Sequence, residues 1–392
     1  MTAPTRIPRA RIALTHRQLR DALRRSVDAV LFEDLPAGDA AVEEVEQLLA
    51  AAVGRRVVLG VQSGTSGLML ALRAVGVGPG DEVITVANSD ISTTAAITHC
   101  GAVPVLCDIR ADDYTIDPDG VASLITSRTR AVLPVDLYGH PADVRALRRV
   151  ADRHGLAIVE DAALALGARD YGRPVGAFAD VVVYSFAPYK PLGCVGNGGA
   201  VATDSAILAR RLRVLRGYGA SPDAPPATPG LQRYVEEGFN LPLDPLQAAV
   251  LRVKLPHLDA WTRRRREVAQ FYARRLAALP VVLPTFRPDA EPTFRLYGIR
   301  VPYRDQVYAY LRERGIEAVI HYAPPVHRHP VYADRGLPGA DRLPVTERVA
   351  GELLGLPVFP ELQEDEMLKV VAAVSDALDL FQVKGEERHG TG

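Results

Sequence analysis

Three segments place reactive side chains where the chain turns sharply beside glycine or small residues. In VVLGVQSGTSGLMLALRAVG an apolar run gives way to a Gly/Ser/Thr loop and then to a helical pattern, so Gly64, Thr65 and Ser66 stand at a helix start. Unpaired N–H groups and the positive end of the dipole make such a start an anion site. The same residues could serve only as a cap and tight turn. The loop fits neither GxGxxG nor GxxxxGK(S/T), so neither a dinucleotide fold nor an ATP P-loop is supported. In LAIVEDAALALGA a strand pattern closes on Asp161. A carboxylate at that end of a parallel strand sits where open α/β sheets bind ligands; the alternative is a cap for the following alanine-rich stretch. In DVVVYSFAPYKPLGCVGNGGAVAT a strand ends at Ser185 and Phe186, and Lys190 follows before a glycine cluster. A lysine there is either an ordinary surface residue or one aimed into a cleft, where an apolar or cationic setting would lower its pKa and prepare it for imine chemistry.

Together the three form a chemical set. A phosphate site, an amine able to form an imine and a carboxylate able to face a pyridine nitrogen are what a pyridoxal 5'-phosphate (PLP) enzyme requires.

The elements that must position them are legible in outline. Apolar, β-branched runs occur at 57–61, 82–87, 103–107, 130–135, 156–160 and 180–186, with helical stretches such as 68–76 and 142–155 between several of them. That alternation predicts βαβ units and a mainly parallel sheet buried on both faces, the α/β class. Before it, residues 1–15 read as an irregular arm, and 16–54 as two helices split by LPAGD. After it come a Pro-rich loop at 221–230 and a long helical pattern interrupted at Pro256. From about 285 the pattern is that of a smaller α+β domain, and the last residues, KGEERHGTG, are expected to be disordered. The domain reading is an arm at 1–15, a large domain at 16–250, a small domain with the connecting helix at 251–383, and a tail at 384–392.

Composition narrows the function classes. The 392 residues carry a formal net charge of −1, with 48% hydrophobic and 24% charged residues. No overall field would draw the chain to nucleic acid or to an anionic membrane. The basic run Arg263 to Arg266 reads as a solvated helix face offset by nearby acids. Cys100, Cys107 and Cys194 are far apart without CxxC spacing, which argues against a zinc site or disulfide framework and fits a reducing cytoplasm. The basic N-terminus lacks the apolar segment of a secretory signal. No apolar run reaches the roughly 18–20 residues of a membrane span.

The motifs SGTSGLMLALRAVGVGPGDEVI, RAVLPVDLYGHPADV, EDAALALGA, YSFAPYKPLG, NGGAV, GFNLPLDPLQAA and IHYAPPVH, spread over about residues 20–380, identify a resemblance to the sugar aminotransferases of the DegT–StrS group. The resemblance implies a fold-type-I PLP enzyme that aminates a keto sugar, nucleotide-linked in the family, with a glutamate-type donor, in amino-sugar biosynthesis and secondary metabolism. It implies that Lys190 carries the cofactor and shuttles the proton, and that Asp161 pairs with the pyridine nitrogen. Gly64, Thr65, Ser66 and Ser185 would contact the phosphate. Asn240 would reach the phosphate of a neighbouring subunit, giving a homodimer with composite sites. His321, Tyr322 and His327 would lie near the sugar nucleotide; the two histidines also read as loop-packing residues.

Five positions depart from the family pattern. Asp90 stands where an aromatic residue would stack on the cofactor, Leu164 and Leu166 replace a glutamine and a histidine, Pro191 an asparagine and Pro242 an arginine. They raise two alternatives: another PLP reaction, such as dehydration or epimerisation, or an inactive partner subunit. Retention of both Lys190 and Asp161 favours an active enzyme. Asp90, Leu164 and Pro242 are all expected in or beside the cleft.

Overall fold

The apolar runs become the strands of one sheet. In the computed structural model, which describes residues 6–32, 37–221 and 233–389, they form β1 (Val57–Val61), β2 (Glu82–Val86), β3 (Val103–Cys107), β4 (Thr129–Val132), β5 (Ala157–Asp161), β6 (Val181–Ser185) and β7 (Gly199–Thr203). Their order is β1-β7-β6-β5-β4-β2-β3. Neighbours from β3 to β6 pair in parallel, whereas β7 is antiparallel to both β6 and β1. Strands β1 to β6 therefore all point one way, and only β7 runs against them.

Both faces of the sheet are covered, which is why its strands are apolar throughout rather than alternating. Successive residues of β6 serve opposite cores. Val181 and Val183 pack with Leu68, Ile97 and Leu147. Those belong to the helices α4 (Gly64–Ala74), α5 (Ile91–His99) and α6 (Val144–His154). Val182 and Tyr184 turn the other way, to Val45, Leu49 and Leu251. The contact of α4 with the sheet is close: a Cβ on Gly67 would lie 2.8 Å from Val183 Cγ1. Only glycine lets the helix approach so near.

The N-terminal region differs from the expected plain arm. Of residues 1–15, only 6–15 are described. Ile7 forms a bridge to Ile316, and α1 (Ile12–Gln18) already begins within the arm. Then come α2 (Arg20–Phe32) and α3 (Ala37–Val53), so part of LPAGD is helical and residues 33–36 lie outside the described residues. Most of the Pro-rich loop also lies outside them.

The long helical pattern is two helices, α8 (Pro245–Lys254) and α9 (Leu258–Leu276), joined by a 3-10 turn over Leu255–His257; α7 (Ala206–Arg216) precedes them. The boundary expected at 250/251 thus falls inside α8. The passage between cores occurs along α9, where Leu258 packs beneath the main sheet and Val268, Tyr272 and Leu276 enter a second core. That core also takes Ile7 and the two-stranded antiparallel sheet of β8 (Tyr297–Arg300) and β9 (Leu353–Leu356). It is closed by α10 (Arg304–Glu313) and by α12 (Glu364–His389), with α11 (Pro344–Glu352) between them in the chain. The segment expected to be a disordered tail is helical as far as His389, and 390–392 lie outside the described residues.

The basic run on α9 is not one solvated face. Arg264 pairs with Glu267 and Arg266 with Glu291, while Arg265 is buried. Among the described residues no helix is long and apolar enough to cross a membrane.

Candidate active site

The strand directions bring the reactive residues to one edge. The C-terminal ends of β1, β2, β5 and β6 deliver Ser63, Ser89, Asp161 and Ser185, and β7, running the other way, begins there after Asn197. A cleft of about 210 Å³ lies at this edge, lined by Gly64, Thr65, Asp90, Asp161, Leu164, Ser185, Lys190 and Tyr322 among others. Ligands of open α/β sheets bind at this edge.

Helix α4 is built to present free donors. Ser63 is its N-cap, with Ser63 Oγ accepting from Ser66 N–H at 3.1 Å and Ser66 Oγ accepting from Ser63 N–H at 3.0 Å. This reciprocal cap fully engages Ser66, which does not line the cleft. The N–H groups of Gly64 and Thr65 have no partner within the helix, and they stand at the positive end of its dipole. Gly64 is confined against Ser185: an added Cβ would lie 2.9 Å from the serine Cβ.

Asp161 is 4% exposed. Thr93 Oγ1 donates to its Oδ2 at 3.1 Å and Ala163 N–H to its Oδ1 at 3.1 Å. Burial pushes its pKa up, opposed by those two bonds and by Lys190, while Asp90 adds to the rise. Lys190 follows β6 in a loop that folds back, its N–H donating to Ala187 O at 2.9 Å. Desolvation lowers its pKa to about 8, with Arg295 lowering it further and Asp161 and Asp90 opposing. An amine so placed is far more often neutral, hence nucleophilic, than a surface lysine.

The departures from the family pattern take separate places. Asp90 is exposed at the cleft mouth and caps α5, accepting from Ser92 N–H at 2.9 Å. The aromatic ring in the cleft lining is that of Tyr322, whose ring stacks on His321 at 4.8 Å. Leu164 lines the cleft, whereas Leu166 is buried beneath the sheet. Pro191 lines a neighbouring hollow, and its carbonyl accepts from Arg265 at 3.3 Å. Pro242 does not reach the cleft. It bridges Val61 and borders a groove with Glu46 and Arg216, because the segment after Asn240 runs back along β1.

Of the other expected residues, His321 stands beside the cleft. Its pKa falls to about 4 through burial and through the nearby Arg295 and Arg9, so the ring is neutral at physiological pH. His327 is brought elsewhere: it is 7% exposed, with Nε2 2.7 Å from Glu347 Oε1 on α11, the loop-packing placement. Asn240 is exposed, its backbone bridged to Gly217, and it does not line the cleft of its own chain. Sequence reasoning missed Ser63, Ser89, Thr93, Asn197 and Arg295. The serine three residues before Ser66 was a readable cap signal. An arginine inside the apolar PTFRLYGI was another, since burial there would demand an anionic partner.

The residue set fits PLP. The unpaired N–H groups of Gly64 and Thr65 beside Ser185 suit a dianionic phosphate, Asp161 a protonated ring nitrogen and Lys190 the covalent link.

Residues 19–375 match the sequence model of the DegT/DnrJ/EryC1/StrS aminotransferase family. The chain is 44% identical over 363 residues to a Streptomyces venezuelae protein named dTDP-3-amino-3,4,6-trideoxy-alpha-D-glucose transaminase, covering 91% of this chain and 93% of that one. Its structure resembles that of S. venezuelae DesV in complex with a ketimine intermediate, at 42% identity and a TM-score of 0.88, covering 95% of this chain and 98% of DesV. It also resembles NtdA from Bacillus subtilis with bound cofactor PMP, at 29% identity and a TM-score of 0.83, covering 92% and 82%. The chain thus belongs to the DegT/DnrJ/EryC1/StrS family of aminotransferases.

Proposed function

We propose that the enzyme aminates a keto sugar linked to a nucleoside diphosphate, with an amino acid of the glutamate type as donor. The observation that carries this reading is Lys190, a desolvated amine with its pKa lowered to about 8, in one cleft with the buried Asp161 and the open start of α4. The relative named a dTDP-3-amino-trideoxyglucose transaminase supports the sugar and its C3 position.

When bound, PLP supplies the electron sink that stabilises negative charge at the carbon losing or gaining a proton. The chain's own residues do the rest. Gly64 N–H, Thr65 N–H and Ser185 hold the phosphate. Asp161 keeps a positive charge on the ring nitrogen through a charge-assisted hydrogen bond. Lys190 Nζ, once free, takes the proton from the donor's α-carbon and later delivers one to the sugar carbon. Leu164 and Leu137 keep water from one side of the cleft. Tyr322, in the cleft lining, and the neutral His321 stacked on it would contact the sugar. Presence of both Lys190 and Asp161 in one cleft speaks for an active enzyme over an inactive partner subunit.

The functional unit in this reading is a homodimer, in which Asn240, exposed and outside its own cleft, reaches the partner's phosphate site. A mixture of Lys190→Ala and Asn240→Ala proteins then regains activity, because one site of each mixed dimer has both residues intact. A monomer that retains PLP contradicts the composite site. For the reaction, glutamate added to the PLP-loaded protein should bleach the visible band. A dTDP-linked 3-keto-4,6-dideoxyhexose should restore it and appear as the amino sugar by mass spectrometry. A band indifferent to glutamate and to other amino acids overturns the amino-transfer reading.

A further inference from the structure

Lys190 also borders a second, smaller hollow of about 50 Å³ between the N-terminal arm, α9 and the start of β8. Its walls are strongly cationic. Arg265 and Arg295 are each 7% exposed. Arg265 makes one hydrogen bond, to Pro191 O at 3.3 Å, and its Nη1 is buried without a partner. Arg295 makes no side-chain hydrogen bond among the described residues, and its Nε is buried and unpaired. Neither guanidinium has a carboxylate within ion-pair distance among the described residues. Of the other charges at the hollow, only Glu361 opposes them, acting on Arg265 without forming an ion pair with it. Lys254 adds a further cation and donates to Gly193 O, Arg9 lies over the Tyr189 ring at 4.0 Å, and Arg11 is committed to Glu366. Glu361, the one carboxylate in the lining, accepts from Thr15.

Burial and the nearby Arg295 lower the pKa of Arg265, so two like charges are buried close together with no ion-paired carboxylate among the described residues, an unfavourable arrangement. They also carry donors that need acceptors. Both facts point to a missing anion. Size limits it. A water needs about 10–15 Å³ of such volume, so 50 Å³ admits a carboxylate and a short chain but not a sugar nucleotide. Position limits it further, because the charge of Arg295 is felt by Lys190, His321 and Tyr322.

We propose that this hollow is an anion subsite in which Arg295 and Arg265 hold a carboxylate of the amino donor while its amine lies at Lys190. The proposal rests on the amino-transfer reading for the identity of the anion and on the unpaired arginines for the existence of the site. It makes the N-terminal arm part of the donor site, with Arg9 beside the entry.

Trp261, the single tryptophan of the chain, lines the hollow and reports on it directly. Succinate, a dicarboxylate without an amine, should change the Trp261 emission of the PLP-loaded enzyme saturably, and the neutral succinamide should not. Arg295→Gln should weaken succinate by about tenfold or more, the loss expected for one charged hydrogen bond, with partial recovery in Arg295→Lys. In single turnovers the same variant should weaken glutamate similarly while leaving the KM of the keto sugar unchanged. Where Arg295→Gln does not fold, Arg265→Gln carries the same expectation. A wild-type Trp261 signal indifferent to succinate, or variants that bind it as the wild type does, overturns the subsite. So does a variant that raises the keto-sugar KM instead of weakening the donor. Succinate binding that depends on Arg295 in an enzyme unable to accept any amino donor upholds the subsite and sinks the amino-transfer reading alone.

Discussion

Asp161→Asn tests the cofactor assignment with little disturbance to the fold. Asparagine keeps the shape. Its carbonyl oxygen can still accept from Ala163 N–H, which lies 3.1 Å from Asp161 Oδ1. Its amide would face Thr93 Oγ1, which is 3.1 Å from Oδ2. Thr93 can accept there and donate instead to Ser89 Oγ, 2.8 Å away, because either hydroxyl of that pair can be the donor. What is lost is the negative charge. Removing a hydrogen bond to a charged partner costs about 1.5–3 kcal/mol, so the dissociation constant for PLP should rise roughly 10–150-fold. The charge also helps hold Lys190 protonated, so its pKa, now about 8, should fall in the variant. The rate at which the apoprotein captures PLP reports the neutral amine and should rise with pH through about 8 in the wild type. In Asp161→Asn the same rise should occur at lower pH, even though the final complex is weaker. Both quantities come from the visible band in a stopped-flow reconstitution series, with thermal melting of the apoprotein as the control for folding. Unchanged PLP affinity together with an unchanged pH profile would refute the placement of Asp161 at the ring nitrogen.

Further tests address other residues. Borohydride reduction of the PLP-loaded enzyme followed by peptide mapping should place the label on Lys190, and Lys190→Ala should take none; a label on Lys254 would reassign the cofactor lysine. Asp90→Ala should cost about 1 kcal/mol of stability through loss of the α5 cap, a loss that Asp90→Asn avoids; if both lower the Tm equally, Asp90 matters for its charge and not for its cap. Asp136 and Glu160 are buried carboxyls whose pKa values are raised: Asp136 well above its ordinary value through desolvation and the nearby Glu160, and Glu160 to about 7 through desolvation, with Asp170 adding and the hydrogen bonds to Asp136 and Gly176 opposing. A raised folded pKa favours the folded state below the ordinary carboxylate range and loses that advantage as pH rises towards 7. The Tm should therefore fall between about pH 5 and pH 8, and Glu160→Gln, which can still accept from Gly176 N–H, should flatten that slope in differential scanning fluorimetry; an unchanged slope excludes this pair as its source.

The sequence by itself determined the local parts. Two-sided burial forces continuous β-branched runs, so β1, β3, β5 and β6 could be read within a residue or so of their ends. A strand-to-helix transition needs small residues and a cap, and a tight loop between two strands needs glycine, so the approach to α4 and the loop after β6 were visible as SGTSG and GCVGNGG. Since every such strand in a parallel sheet ends at one edge, Lys190, Asp161 and Gly64 could be assigned to one cleft from order alone. Only the tertiary structure decided what depends on residues far apart in the chain. It packed His327 on Glu347 and sent Pro242 along β1 away from the cleft. It also brought Arg295, from the lead-in to β8, beside Lys190, from the loop after β6, and folded the N-terminal arm over both. No periodicity encodes those meetings, because they arise from how α9 carries the chain from one core to the other, a choice made by packing between elements and not within them.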